Sequence, residues 1–219
     1  MIKNIYLRSK KMTLHYFADK NADTVLIQPI GEHDMAEIEN EAAEIKKLTN
    51  MDFQLIAVEV EDWNRELSPW EAPAVFGNEG FGNGAEDTLA EILTLCSDKS
   101  KNYYIGGYSL AGLFALWAAF QTEKFSGVAA ASPSVWFPDF VGYMKGNKIK
   151  CDAVYLSLGD KEERTKNAVM SKVGDCIRES YDLLTGQGID CTLEWNKGGH
   201  FKEPALRTAK GFAWVMNGR

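Results

Sequence analysis

The sequence predicts an α/β fold built on a mostly parallel sheet with helices on both faces. Two observations predict it. From residue 24 onward, short apolar runs alternate with segments of helical period, the pattern of successive strand–helix–strand units. Several of these runs, such as TVLIQPI at Thr24–Ile30, are continuously apolar rather than alternating. That marks strands buried on both faces. At 219 residues, 45% apolar and 25% charged, the chain suits a single domain (1–219) that buries a large core without staples.

Taken in order, alternation at 4–9 and 13–17 predicts a short opening hairpin. Thr24–Ile30 is a strand that ends at Gly31. Residues 35–48 form a helix with Met35, Ile38, Ala42, Ile45 and Leu48 on one side and Asp34 as N-cap. Residues 53–60 are the next strand. The stretch 61–84, rich in Gly, Pro and Trp, reads as a functional loop, because long structureless connections in small domains usually have a job. A helix follows at 86–96, a strand at 103–106 and the apolar helix Leu110–Gln121. Strands are then predicted at 125–131, 153–158 and 191–195, with a helix at 169–184 between the last two. Helix Pro204–Asn217 closes the chain.

Charge and composition exclude several classes. There are 24 Lys and Arg against 31 Asp and Glu, a net charge of −7, and no basic block; nucleic acid is not an expected partner. The longest apolar run, 113–120, is far too short to span a bilayer, so no membrane partner is expected. MIKNIYLRSKKMTLHYF has neither a signal core nor a cleavage site, so a cytoplasmic location is expected. Cys96, Cys151, Cys176 and Cys191 are scattered without metal-site or redox spacing and read as small buried hydrophobes. Oligomeric state is not legible.

The chemistry gathers at Gly106-Gly107-Tyr108-Ser109-Leu110-Ala111-Gly112. A strand that turns directly into a helix holds its apex residue in strained geometry, with the side chain above the sheet. Residues two positions to either side come close, so they must be small, as Gly107 and Ala111 are. The helix start offers free N–H groups, and that of Leu110 is placed to hold an oxyanion. A serine needs a base. Of the three histidines, His15 lies in the predicted hairpin, and His33 reads as a loop or cap residue able to line a pocket. His200 follows two glycines just past the last strand, in a loop free to bring an imidazole over the sheet. The acid that orients it lies among three carboxylates after strand 153–158. Glu162 is the first candidate, ahead of Asp160 and Glu163.

GGYSLAGLFALWAAF, followed by SPSVWF and then GGHF, resembles the α/β-hydrolase superfamily, and within it the esterase branch that includes enterochelin-esterase-like enzymes. The order serine, acid, histidine is that superfamily's. The resemblance runs from about residue 24 to the C-terminus. It implies an α/β-hydrolase fold, compact and without a large lid, with Ser109 as nucleophile, His200 as base and Glu162 as acid. It also places Arg65-Glu66-Leu67-Ser68-Pro69 in a loop near the active site and Ser132-Pro133-Ser134-Val135-Trp136 beside the nucleophile. In that fold the second oxyanion donor comes from the loop at 28–32, from Ile30 or Gly31.

Candidate substrate contacts are Trp63, Arg65 and Trp70 in the long loop, Tyr108 beside the nucleophile, and Trp136, with Phe76 and Phe137 adding to the aromatic supply. Ligands in open α/β sheets bind at the carboxyl ends of the strands. Arg65 either meets a substrate carboxylate or pairs with Glu61 or Glu66. The expected activity is hydrolysis of a small-molecule carboxylic ester through an acyl-enzyme, with no metal or organic cofactor. Acyl transfer by the same residues, or a non-catalytic binding module on this scaffold, are the alternatives.

Overall fold

The computed structural model describes residues 12–218. Seven strands form one sheet in the order β1-β3-β2-β4-β5-β6-β7. They are β1 (Thr13–Ala18), β2 (Thr24–Ile30), β3 (Gln54–Glu59), β4 (Asn102–Tyr108), β5 (Gly127–Ala131), β6 (Ala153–Gly159) and β7 (Asp190–Asn196). All pairs are parallel except β1 with β3. The helices are α1 (Ile38–Thr49), α2 (Trp63–Glu66), α3 (Ala85–Leu95), α4 (Leu110–Gln121), α5 (Phe140–Gly146), α6 (Val173–Gly186) and α7 (Pro204–Asn217).

The expected mostly parallel α/β architecture is therefore present, with local differences. Thr13–Ala18 pairs with β3; the other half of the expected hairpin, 4–9, lies outside the described residues. Asp34 does not cap α1. It ends a short 3-10 turn, Glu32–Asp34, and its carboxylate accepts the Gly31 N–H at 2.9 Å. Residues 61–84 contain α2 and an isolated bridge between Ala72 and Phe81. Helix α5 was not anticipated, because its seven residues are too few to show a period. Cys96 and Cys151 are buried free thiols, and Cys176 and Cys191 are half-buried. Among the described residues, no helix is long and apolar enough to cross a membrane.

Each face of the sheet carries its own core. One is filled by α4, α3 and α6, through side chains such as Phe114, Leu89 and Ile177. Helix α4 is buried from Leu110 to Phe120, as its apolar residues on every side require. The other face is covered by α1 and α7, through Ile38, Ile45, Phe212 and Val215. Small residues on β4 and β5 let the helices come close. A Cβ on Gly106 would stand 2.6 Å from Phe212 of α7 and 2.8 Å from Ala129, and one on Gly107 would stand 2.7 Å from the Ala111 Cβ of α4.

Strand order reverses at β2 and β4: β3 lies to one side of β2, and β4 begins the run to the other. A crevice opens outside the carboxyl ends of the strands at such a point. The 3-10 turn after β2 and the turn after β4 both end there.

Gly106→Val places two methyls where Phe212 and Ala129 already sit. We expect it to destabilise the fold by about 1–3 kcal/mol or more through overpacking, measured by urea unfolding. Wild-type stability in this variant would show that α7 does not seat on β4 as described.

Candidate active site

Ser109 stands between β4 and α4 with φ 56° and ψ −118°, a region that side-chain-bearing residues rarely occupy. Its N–H donates to Ala131 O at 3.1 Å, and its carbonyl accepts from Leu113 and Ser134. The turn is thus held from three sides. Ser109 Oγ lies 3.0 Å from His200 Nε2, and His200 Nδ1 lies 2.7 Å from Glu162 Oε2. Three residues from three separate loops form one relay, reaching across 91 and 38 positions of sequence. Ser134 Oγ lies 3.3 Å from Ser109 Oγ on the other side.

Glu162 is held in place by its second oxygen. Glu162 Oε1 accepts from the Gly159 N–H at 2.7 Å, from Ser132 Oγ at 2.8 Å and from Arg207 Nη1 at 2.9 Å. Burial alone would raise this carboxyl, but the hydrogen bond and charge of His200, with the Gly159 and Ser132 donors, pull it below its ordinary value. It therefore stays ionised beside the imidazole. The other two carboxylates have different jobs. Asp160 accepts the Gly198 N–H at 2.8 Å and so ties down the glycine loop that carries His200. Glu163 pairs at the surface with Arg178 at 3.2 Å.

Arg207, on α7, is a component that the sequence reading did not identify. Its residue is 1% exposed. Besides Glu162, Nη1 contacts Tyr108 Oη and Ser132 Oγ, and Nη2 donates to Gly199 O at 3.1 Å. The Tyr108 hydroxyl donates in turn to the His200 carbonyl at 2.5 Å. Burial raises the Tyr108 phenol further above its ordinary value, so it remains a donor. One guanidinium therefore contacts both Glu162 and the loop of His200. No sequence signal separates this arginine from a solvated helix residue.

Above the relay opens a cavity of about 490 Å³ lined by Ser109, Leu110, His200 and a largely apolar wall. Of the expected contacts, Trp63, Tyr108, Trp136 and Phe76 line it. Phe81, Met170, Val173 and Phe201 also line it, and of these only Phe201, next to His200, carries a positional hint in the sequence. Phe76, Phe81 and Trp136 meet edge to face with centroids 6.1–6.2 Å apart. Trp70, Phe137 and Arg65 are not in this wall. The Trp70 indole N–H donates to Pro138 O at 3.0 Å, and its ring packs on Phe137, Phe140 and Tyr143; it anchors the long loop. Arg65 pairs with Asp62 and Glu66, both at 3.3 Å.

Leu110 opens α4, so its N–H has no intrahelical acceptor, and it lines the cavity beside Ser109. The expected second oxyanion donor is not available as drawn. The Gly31 N–H is taken by Asp34, and Ile30 lies within β2, paired in register with Glu59 of β3. The carboxylate that closes the 3-10 turn competes for the position.

No family model matches the chain, and no curated protein is similar to it in sequence. Solved structures are similar in fold. The siderophore hydrolase EstA from Aspergillus nidulans is 19% identical, with a TM-score of 0.62 over 94% of each chain. Enterochelin esterase from Shigella flexneri is 15% identical, with a TM-score of 0.68 over 94% of this chain and 55% of that one. A protein of unknown function from Agrobacterium tumefaciens, described as an α/β hydrolase, is 14% identical, with a TM-score of 0.59 over 94% of this chain and 90% of that one. At these identities the likeness is one of fold, and the fold is that of the α/β hydrolases.

Removing one partner of a buried ion pair leaves the other charge stranded. Arg207→Met should therefore cost about 3–5 kcal/mol, read from urea unfolding; a loss under 1 kcal/mol would contradict the clamp. The Glu162 carboxyl is depressed in the folded state. Its stabilisation is then fully present above the ordinary carboxylate value of 4.5 and disappears as pH falls through the lower, folded value. The Tm gap between wild type and Glu162→Gln should accordingly be wide at pH 7 and close in acid. A gap independent of pH would refute this.

Proposed function

We propose that this protein is a serine hydrolase that cleaves carboxylic esters through an acyl-enzyme on Ser109. The observation that carries the reading is the continuous relay from Ser109 Oγ through His200 to the ionised Glu162, opening into an apolar cavity. The names of the similar structures, a siderophore hydrolase and an enterochelin esterase, agree with ester chemistry.

In this reading His200 Nε2 takes the Ser109 proton as Oγ attacks the ester carbonyl. The carbonyl π electrons move onto oxygen, and the Leu110 N–H at the start of α4 meets the new charge. Glu162 keeps its negative charge and holds Nδ1–H throughout, stabilising the imidazolium. When the tetrahedral intermediate collapses, the ester C–O bond breaks and Nε2–H protonates the departing alkoxide. A water then gives its proton to Nε2, attacks the acyl carbon and releases the carboxylic acid, and Ser109 recovers its proton. The apolar wall, Phe76, Phe81 and Trp136 in particular, suits an acyl or aryl group and excludes bulk water from the attack.

The test is turnover of short 4-nitrophenyl esters together with labelling by a fluorophosphonate. Wild type should hydrolyse the esters and carry the probe on Ser109 alone. Ser109→Ala should remain folded and lose about four orders of magnitude or more in kcat. Turnover undiminished in Ser109→Ala, or a probe attached elsewhere, would overturn the proposal. Addition of a primary alcohol acceptor should leave the free acid as the main product; a new ester as the main product would make the protein an acyl transferase instead.

A further inference from the structure

Next to the ester cavity lies a smaller one of about 140 Å³. The two share His33, Asp34, Trp63, Tyr108 and Pro204 as lining, and Tyr108 is the residue before the nucleophile. The small cavity has an unusual electrostatic character. Three carboxylates, Asp34, Glu37 and Glu41, line it; among the described residues no lysine or arginine does, and His33 lies 3.4 Å from Asp34.

Two of its polar residues are almost wholly buried, Gln28 at 4% and Glu41 at 3% exposure. They meet only through a long hydrogen bond, Gln28 Nε2 to Glu41 Oε2 at 3.4 Å. Gln28 Oε1 and Glu41 Oε1 have no hydrogen-bond partner. Buried acceptors without donors are rare in folded proteins and call for an explanation. Burial pushes the Glu41 carboxyl up to about 8; the Gln28 bond opposes the rise and the Asp34 charge adds to it. The catalytic relay uses none of these groups.

The feature missing from this arrangement is a compact donor with positive charge. An alcohol could satisfy the two oxygens but would neither balance the Asp34 and Glu37 carboxylates that line the cavity nor draw the Glu41 carboxyl, pushed up to about 8 by burial, into its charged form. A primary ammonium has three donors and no acceptor, enough for Gln28 Oε1, Glu41 Oε1 and the Asp34 carboxylate. Trp63 and Tyr108 also line the cavity, and aromatic rings attract a cation.

We infer that this cavity is a subsite for a protonated primary amine carried by the ester, so that the substrates are amino esters. The inference rests on the esterase reading for its chemistry, but the subsite can be tested without turnover. In a first arm, propylammonium and 1-propanol are titrated separately into the Ser109→Ala protein, with the Glu41 side-chain carboxyl followed by carbon NMR. Propylammonium should shift that signal saturably, while 1-propanol at the same concentration should not. No shift with propylammonium overturns the inference.

In a second arm, kcat/KM is measured for 4-nitrophenyl 6-aminohexanoate and for the heptanoate, in which a methyl replaces the ammonium. Wild type should favour the amine ester at least tenfold, and the ratio should fall toward one in Glu41→Gln and in Gln28→Leu. A wild-type ratio near one, or a preference that survives in both variants, overturns the inference. If neither ester is turned over while the ammonium still shifts the Glu41 signal, the cation subsite stands and the esterase reading falls.

Discussion

The site depends on the buried contact between Arg207 and Glu162. A carboxylate 4% exposed at its side chain must keep its charge if it is to hold the imidazole in one orientation. Burial works against that charge; the His200 hydrogen bond and charge with the Gly159 and Ser132 donors work for it, and Arg207 Nη1 donates to the same carboxylate at 2.9 Å. Arg207 would itself be a stranded charge without Glu162. The pair is mutually necessary, which makes its loss far more damaging than that of a surface pair. Through Gly199 O and Tyr108 the same residue also holds the loop of His200. Glu162 and the His200 loop thus share one anchor in Arg207, beside the separate supports that Gly159, Ser132 and Asp160 give them.

Packing explains why the arginine is there. Gly106 and Ala129 leave space that Phe212 fills, so α7 sits close against β4 and β5. Arg207 lies five residues before Phe212, on the part of the helix nearest the strand ends. A larger residue at position 106 would lift the helix and withdraw the guanidinium. The smoothness of the sheet under α7 and the geometry of the relay are one constraint seen from two places.

Legibility in the sequence followed the range of the physical cause. Thr24–Ile30, Leu110–Gln121 and Pro204–Asn217 could be delimited because an apolar run or a proline at a helix start is a local signal. The turn carrying Ser109 was legible for the same reason: small residues must flank a sharp turn. The site residues that were harder to read are set by distant contacts. Arg207 has the appearance of any charged helix residue until α7 is docked. Trp63 and Trp70 share one loop and one composition, yet one lines the cavity and the other donates to Pro138 O. Gly31 had the flexibility of an oxyanion donor, but a carboxylate three residues on had already taken its N–H. Of three neighbouring acids the sequence puts Glu162 first without excluding Asp160 or Glu163, and their partners, the imidazole, the Gly198 N–H and Arg178, are what distinguish them.

The parts of the relay are spread unevenly along the polypeptide. Ser109 sits midway, Glu162 and His200 come late, and the guanidinium arrives only with the closing helix. During synthesis on the ribosome, a nascent chain ending before residue 204 already contains Ser109, Glu162 and His200 but lacks the guanidinium that braces the last two. Such a chain carries all three side chains of the relay while the anchor that Glu162, Tyr108 and Gly199 share is still to come.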